Sequence, residues 1–455
     1  MASPIAQRLF IGLRPLSRLA PSSSFLGRAN RYSSSSARLP PHERSFPAYF
    51  VRGGTSNGLV IREDVLPSYG DAGSGAADAA TIQARAAAWT SVLVSAMGSP
   101  DPQHARQLDG MGSGVSSTSK ICVISPPANE VERADRDVNF TFVQVGIRDG
   151  RLDLAGNCGN MISAVGPLAF DLGFGGATVD AEGGQGEKEG LVRIFNTNTK
   201  KLILSRFRVA GDPPRFCPDG DYAIDGVPGT HSRITMSFVR PAGAKTGAQN
   251  GLPTGSPVDL LSRRPGEGPS IPASLVDVSN PGVFVLGSSL GLTKKQGAED
   301  INLQDVSKTI ETDTELKATV DHLRREGASR MGMDPDTESV PKIVILFPPS
   351  AGKEADGVDI RCVALSMGQV HKAVPLTLAL CLGAAAQIPG TLAAQLVAKG
   401  QSNKASTGAS KGTVVIGHPS GRVDVGTTLD EADGTVLSAE LHRTARVMME
   451  GKVFY

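Results

Sequence analysis

A cysteine set between two Gly-Asn pairs, GNCGN at Gly156 to Asn160, stands directly before a run of small and apolar residues ending at Phe170. The glycines permit a tight turn and the run has the composition of a buried helix. The spacing therefore predicts a strand that ends in a turn and delivers Cys158 to a helix start. A thiol there lies beside unpaired N–H groups and the positive end of the helix dipole, which favour a thiolate and also hold carboxylates. The plain alternative is a buried, inert cysteine, since free Cys is among the most buried residue types. Lys120 is the second residue with chemistry. Seven of the eight residues from Gly112 to Ser119 are Gly, Ser or Thr, and an apolar run opens at Lys120 itself. Such a loop suits a small anion, whereas a nucleotide-binding P-loop would need Gly immediately before the Lys. A solvated surface lysine is the alternative reading. His371 and His418 are further candidates for holding carboxylates, set against the ordinary role of a hydrogen-bonded histidine.

The elements needed to position these residues can be read in order. From Ser45, FPAYFVRGGTSNGLVI gives a strand, a Gly53-Gly54 turn that exposes N–H groups and the Thr55 and Ser56 hydroxyls, and a second strand. After a small-residue linker near Ser68 to Ala80, an Ala-rich helix runs to Met97 and a strand follows Lys120. Residues 137–145 alternate as a half-buried strand, 192–195 form another, and NTNTK from Asn196 is a polar turn. DGVPGT from Asp225 is a turn leading to a strand over 234–238. The Gly-, Pro- and Ser-rich stretch 241–272 marks a domain boundary.

The second half repeats this order of elements. VDVSNPGVFVLG from Val276 gives strand, turn, strand; 310–326 is helical; 343–347 is a strand; and from Asp359 a strand, a small-residue turn and an apolar helix follow. On that alignment Ser366-Met367-Gly368 falls where Asn157-Cys158-Gly159 falls in the first half, and one helix start from each half points into a shared cleft.

With 455 residues, 40% hydrophobic content and a formal charge of +1, the chain supports more than one core and carries no nucleic-acid signature. Gly at 53 and Pro at 30 with 5% aromatics favour strands and short helices over a bundle. The five cysteines include no CxxC pair, so neither a zinc site nor a disulfide framework is indicated. The longest apolar run, 373–386, is too short to span a bilayer. Residues 1–39 hold six arginines, many serines and no acid before Glu43, the composition of a mitochondrial transit peptide.

RGGTS at Arg52, SSTSK ending at Lys120, GNCGN, NTNTK, GVPGT, SNP at Ser279, SMGQVHKA at Ser366, GHPSG at Gly417 and RTARVMMEG at Arg443 occur in one order over most of the chain. Together they resemble the PrpF-type isomerases of methylaconitate, 3-methylitaconate and aconitate. The resemblance implies an α+β fold of two pseudo-symmetric diaminopimelate epimerase-like domains, each a β-barrel around a central helix, over residues 45–255 and 273–455 after a leader of 1–44. The first strand is a candidate for exchange between the halves. It also implies a cofactor-independent, metal-free isomerisation of an unsaturated di- or tricarboxylate by proton abstraction and allylic reprotonation, with Lys120 and Cys158 as the catalytic pair. Thr55, Ser56, Ser116, Ser117, Ser119, Asn157, Gly159, Asn160, Asn280, Ser366, Met367, Gly368, His418 and Ser420 are the expected substrate-binding positions. The expected partner is the small polycarboxylate, with no nucleic acid and no membrane, and a homodimer stays open. Relatives usually carry Lys where this chain has Asn57. A racemase or epimerase of amino acids, with one cysteine per half, is the neighbouring alternative, disfavoured by Ser366. An accessory protein to an aconitase-like enzyme is the non-catalytic one.

Overall fold

Seven strands, at Ser56–Arg62, Lys120–Ser125, Val138–Val145, Ile271–Val278, Asn280–Leu286, Lys342–Phe347 and Ile360–Ser366, are buried nearly throughout because both of their faces are covered, whereas others, such as Lys188–Asn196 and Ile234–Val239, alternate. The computed structural model describes residues 44–69, 79–180, 188–264, 268–293, 300–350, 357–401, 412–430 and 432–455. The transit-peptide expectation and most of the 68–80 linker fall outside the described residues.

The first half contains β1 (Ser45–Gly53), β2 (Ser56–Arg62), α1 (Ala79–Met97), β3 (Lys120–Ser125), α2 (Glu130–Asp135), β4 (Val138–Val145), β5 (Leu152–Asp153), α3 (Gly159–Asp171), β6 (Ala177–Asp180), β7 (Lys188–Asn196), β8 (Lys201–Ala210), β9 (Arg215–Phe216) and β10 (Ile234–Val239). Then come β11 (Asp259–Leu261), β12 (Ile271–Val278), β13 (Asn280–Leu286), α4 (Leu303–Thr312), α5 (Thr314–Arg330), β14 (Lys342–Phe347), β15 (Ile360–Ser366), β16 (Gln369–Val370), α6 (Leu376–Ala385), α7 (Leu392–Gln401), β17 (Thr413–His418), β18 (Gly421–Leu429), β19 (Val436–Arg443) and β20 (Ala445–Phe454).

Strand directions repeat between the halves. β1 is antiparallel to β2, β2 parallel to β3, β3 antiparallel to β4, β4 parallel to β7, and β7, β8 and β10 are successively antiparallel. The same succession runs through β12, β13, β14, β15, β17, β18 and β19. β10 pairs with β19 and β20 pairs with β1, so the sheet passes without a break from one half to the other. β1 stays with β2 and packs on α3, so the strand carried between the halves is the last rather than the first.

Each half curls its strands around one buried helix, α3 or α6, and both helices share one core. All ten residues of α6 are buried, as an all-apolar helix requires, so the longest apolar run of the chain is a core helix. Among the described residues no helix is long and apolar enough to cross a membrane. A second layer covers the outer faces. Trp89 and Leu93 of α1 pack on Leu59, Ile61, Ile121 and Val123, while Ile310 and Leu323 of α4 and α5 pack on Leu275, Val283, Ile343 and Ile345. For this reason β4 is buried along its whole length rather than half-buried. The helix expected over 310–326 is two helices. Asp313 ends α4 and caps α5, its carboxylate accepting from Glu315 N and Leu316 N, the side-chain competition that breaks a helix and restarts it.

Candidate active site

Cys158 is the N-cap of α3. Its backbone is extended, with φ −130° and ψ 97°, its carbonyl accepts from Ile162 N at 3.1 Å, and its side chain makes no capping bond. The half-buried thiol is therefore not tied to the helix, and the first-turn N–H groups have no acceptor within the helix. α6 begins against the same place. A Cβ on Gly159 would lie 3.0 Å from Cβ and 2.9 Å from Cδ2 of Leu376, so glycine is what lets the two helix starts meet. The N-cap of α6 is Pro375.

Lys120, the first residue of β3, pairs with Gly58 on one side and Gln144 on the other. Its Nζ donates to Gln144 Oε1 at 3.1 Å and lies 5.4 Å from the centre of the Phe142 ring. Gln144 Nε2 in turn donates to Ser119 O at 2.9 Å, which fixes the amide so that its oxygen faces the lysine. A Cβ on Gly58 would collide with the Lys120 carbonyl and lie 3.0 Å from Met161 Cε in the first turn of α3. The lysine strand and the helix start are thus held on either side of that glycine. Cys122, buried between them, has its thiol pushed up by burial and further by Cys158, with Lys120 pulling down. His371, hydrogen-bonded through its backbone to Ala364 O, is pushed down to about 4 by burial and by Lys120 and Lys342. It is a neutral imidazole at physiological pH.

A second group of polar side chains lies on the other side of the α3 start. Asn160 Nδ2 donates to Thr55 Oγ1 at 3.0 Å, and Arg443 Nε donates to Asn160 Oδ1 at 3.3 Å. At Gly54, with φ 50°, the Asn160 side chain occupies the space that a Cβ would need. Gly54 N donates to Thr444 O, and Arg52 Nη1 reaches Gly54 O, Thr444 O and Thr444 Oγ1, so the RGGTS turn is bound to the end of β19. Burial lowers Arg443 to about 10, with Tyr222, Asp225 and Asp424 pulling it back up, and it keeps its charge at neutral pH.

The other expected positions divide. Asn157 and Asn280 are buried, and Asn157 Oδ1 and both amide ends of Asn280 have no hydrogen-bond partner among the described residues. Ser56 is buried at the start of β2, opposite Gly53. Ser119 is committed to its own loop, its hydroxyl donating to Gln107 Oε1 at 2.6 Å and Val115 O at 3.0 Å. Ser116 and Ser117 are half-buried in that loop, and Ser117 O accepts from Asn57 N. Ser420 binds Lys372 O through N and Oγ and lies 3.4 Å from His418 Nδ1.

Ser366, Met367 and Gly368 are not at a helix start. Ser366 ends β15 and pairs with Gln369; Met367 at φ 52° and Gly368 at φ 67° form the two-residue turn of a hairpin. This turn lines a pocket with Lys317, Asp321 and Arg324 of α5, on the outside of the sheet, and the helix starts only at Leu376. Three residues not singled out from the sequence lie against the candidate site: Gln144 on Lys120, Arg443 on Asn160, and buried Lys342, which feels the charges of Lys120 and Cys158.

His418 is also pushed down to about 4, by burial and by Arg443, with Asp225 opposing. Both histidines have an ordinary value of 6.5, so between pH 6.5 and 4 the unfolded chain binds the protons that the folded one refuses. The stability this confers is complete above about pH 6.5 and is lost as pH falls towards 4, by about 1.4 kcal/mol per unit and per histidine. Urea midpoints should therefore drop between pH 7 and pH 5. His418→Gln should flatten that slope; an unchanged slope would contradict the assignment.

The family described as PrpF protein matches residues 44–455. A protein of Cupriavidus necator named 2-methyl-aconitate isomerase is 35% identical over 423 residues, covering 90% of this chain and 96% of its own. A protein of Eubacterium barkeri named 3-methylitaconate isomerase is 34% identical over 423 residues, with the same coverage. A crystal structure of methylitaconate-delta-isomerase superposes with a TM-score of 0.65 at 31% identity, covering 90% of this chain and 96% of that one. The two repeated halves, the Cys158 helix start and the Lys120 strand start thus sit within a match that spans all described residues: the chain belongs to the PrpF family.

Proposed function

We propose that the chain is an isomerase that shifts a double bond in an unsaturated di- or tricarboxylate of the methylaconitate, methylitaconate or aconitate type. The observation that carries this reading is that Gly58 holds the Lys120 strand start against the first turn of α3, whose N-cap is Cys158, with His371 kept neutral partly by the Lys120 charge and cationic Arg443 bonded to Asn160 of the same turn. The amine of Lys120 takes a proton from the carbon activated by the substrate carboxylate, and the electron pair moves into a dienolate whose charge rests on carboxylate oxygens. First-turn N–H groups facing those oxygens stabilise the dienolate, each well-placed donor by about 3 kcal/mol. The Cys158 thiol gives a proton to the allylic carbon, and exchange with solvent returns the proton from lysine to thiolate. One C–H bond breaks and one forms, so there is no net oxidation.

A two-thiol racemase would need a cysteine at the second helix start, where Pro375 stands; Cys381 is buried within α6 with Sγ 3.2 Å from Val276 O. Parallel assays with cis-aconitate, trans-aconitate, 2-methylaconitate and methylitaconate in deuterated water test the proposal. Turnover of one of them with deuterium at the new allylic position is expected. Failure on all four together with α-proton exchange on an amino acid would replace this reading with the racemase.

A further inference from the structure

β4 and β7 run parallel as far as Phe140 and Asn196, where β7 ends. Beyond that point the side chain of Asn198 takes the place of the missing strand. Its Oδ1 accepts from Phe142 N at 2.7 Å and its Nδ2 donates to Phe142 O at 2.9 Å, the exchange of both backbone groups that a residue of an antiparallel strand makes. The second proton of Nδ2 goes to Leu154 O at 2.7 Å. The pairing of β4 with β5 stops at Gln144 and Asp153, so this one amide spans the gap where the two strands part. Its partners also fix which way it faces, since only the oxygen can accept from an N–H and only the nitrogen can donate to two carbonyls.

The residues joined in this way lead to the two candidate catalytic groups. The centre of the Phe142 ring lies 5.4 Å from Lys120 Nζ, and a Cβ on Gly156 would lie 3.8 Å from Phe142 Cε1, so the ring packs against both the lysine and the turn that carries Cys158. Leu154 is buried on the approach to that turn. Asn198 is 6% exposed and is itself held by its backbone: its N donates to Asn196 Oδ1 at 2.9 Å, and its O accepts from Lys245 Nζ at 2.8 Å. Lys245 N, Thr246 N and Thr246 Oγ1 in turn donate to Asp277 Oδ2 on β12. The second half thus braces the amide from behind.

We propose that Asn198 is a positioning residue of the reaction, its amide setting the separation of Lys120 and Cys158 by locking Phe142 to Leu154. This rests on the isomerase reading above. Asn198→Asp keeps the size and the acceptor but sets a carboxylate against the carbonyls of Phe142 and Leu154. It is expected to lower kcat about 10- to 100-fold with KM within about threefold, because a displacement of about 1 Å between reacting groups costs on that scale. Thr197→Val is the matched control. It removes the neighbouring buried bond between the Thr141 and Thr197 hydroxyls, 2.7 Å long, and should lower the urea midpoint at unchanged kcat. Parental kcat in folded Asn198→Asp, or an equal fall in Thr197→Val, would overturn the proposal. A second readout needs no turnover. In NMR spectra of protein with isotopically labelled lysine, the Phe142 ring should shift the ε-methylene protons of Lys120 upfield, a signal assigned by its loss in Lys120→Arg. Asn198→Asp should lose that shift and Thr197→Val should keep it. If the unsubstituted protein turns over none of the candidate acids, the isomerase reading falls and this shift decides alone: its retention in Asn198→Asp would overturn the clamp. If Asn198→Asp does not fold, Phe142→Leu, which leaves the backbone bonds to Asn198 in place, should lower kcat by a similar factor, and parental kcat there would count against the proposal equally.

Discussion

Lys120→Ala is expected to lower kcat by at least about 100-fold, ~2.7 kcal/mol of transition-state stabilisation, in the range for loss of a general base. The fold should survive. The side chain is half-buried at a strand end, and its hydrogen bond to Gln144 and its contact with the Phe142 ring are the only attachments seen among the described residues. Circular dichroism and the urea midpoint of the variant should therefore lie close to those of the parent. Lys120→Arg should not rescue, since a guanidinium does not deprotonate in a protein. Parental turnover in Lys120→Ala would remove the lysine from the chemistry.

Cys158→Ser is expected to cost a similar factor, but for a different reason. The serine fits the same N-cap space and accepts hydrogen bonds from the helix start better than a thiol does, so stability should hold or rise slightly. What is lost is a proton donor matched to carbon, because a hydroxyl is a far weaker acid than a thiol. Deuterium incorporation separates the two roles. If Lys120 abstracts and Cys158 returns the proton, Cys158→Ser should still wash the abstracted hydrogen out of substrate while product formation falls, whereas Lys120→Ala should lose both. Equal retention of both processes in Cys158→Ser would show that the thiol transfers no proton.

The positions of Cys158 and Lys120 were legible because their signals are local. A glycine turn followed by small apolar residues marks a helix start, and a hydroxyl-rich loop followed by KICVIS marks a buried strand. The two-half plan was legible in the order of elements, but its residue-level alignment was not. Matching the small-residue turn at Ser366 to the Cys158 turn equated a hairpin turn with a helix cap. The better signal was the repeated strand opening, KICVIS against KIVILF, which makes Lys342 the counterpart of Lys120, each opposite a glycine of its own half. Arg443 was legible only as part of a motif. Its contact with Asn160 joins β19 to α3, and no local pattern announces a pairing between segments so far apart. The same holds for β4, whose second covered face depends on α1 packing against the outer side of the sheet.

β20 pairs along the length of β1, from Ser45 with Phe454 to Gly53 with Ala445. During synthesis, β1 and the RGGTS turn at its end leave the ribosome long before residues 445–454 exist, so the earliest strand of the first half waits with one edge unpaired. Closing that gap spans nearly the whole described chain, the kind of distant pairing that slows folding and leaves an exposed edge open to other chains. Thr444, which holds Gly54 and Arg52, arrives with the same late segment. The RGGTS turn is thus completed only when translation has reached the segment that binds it.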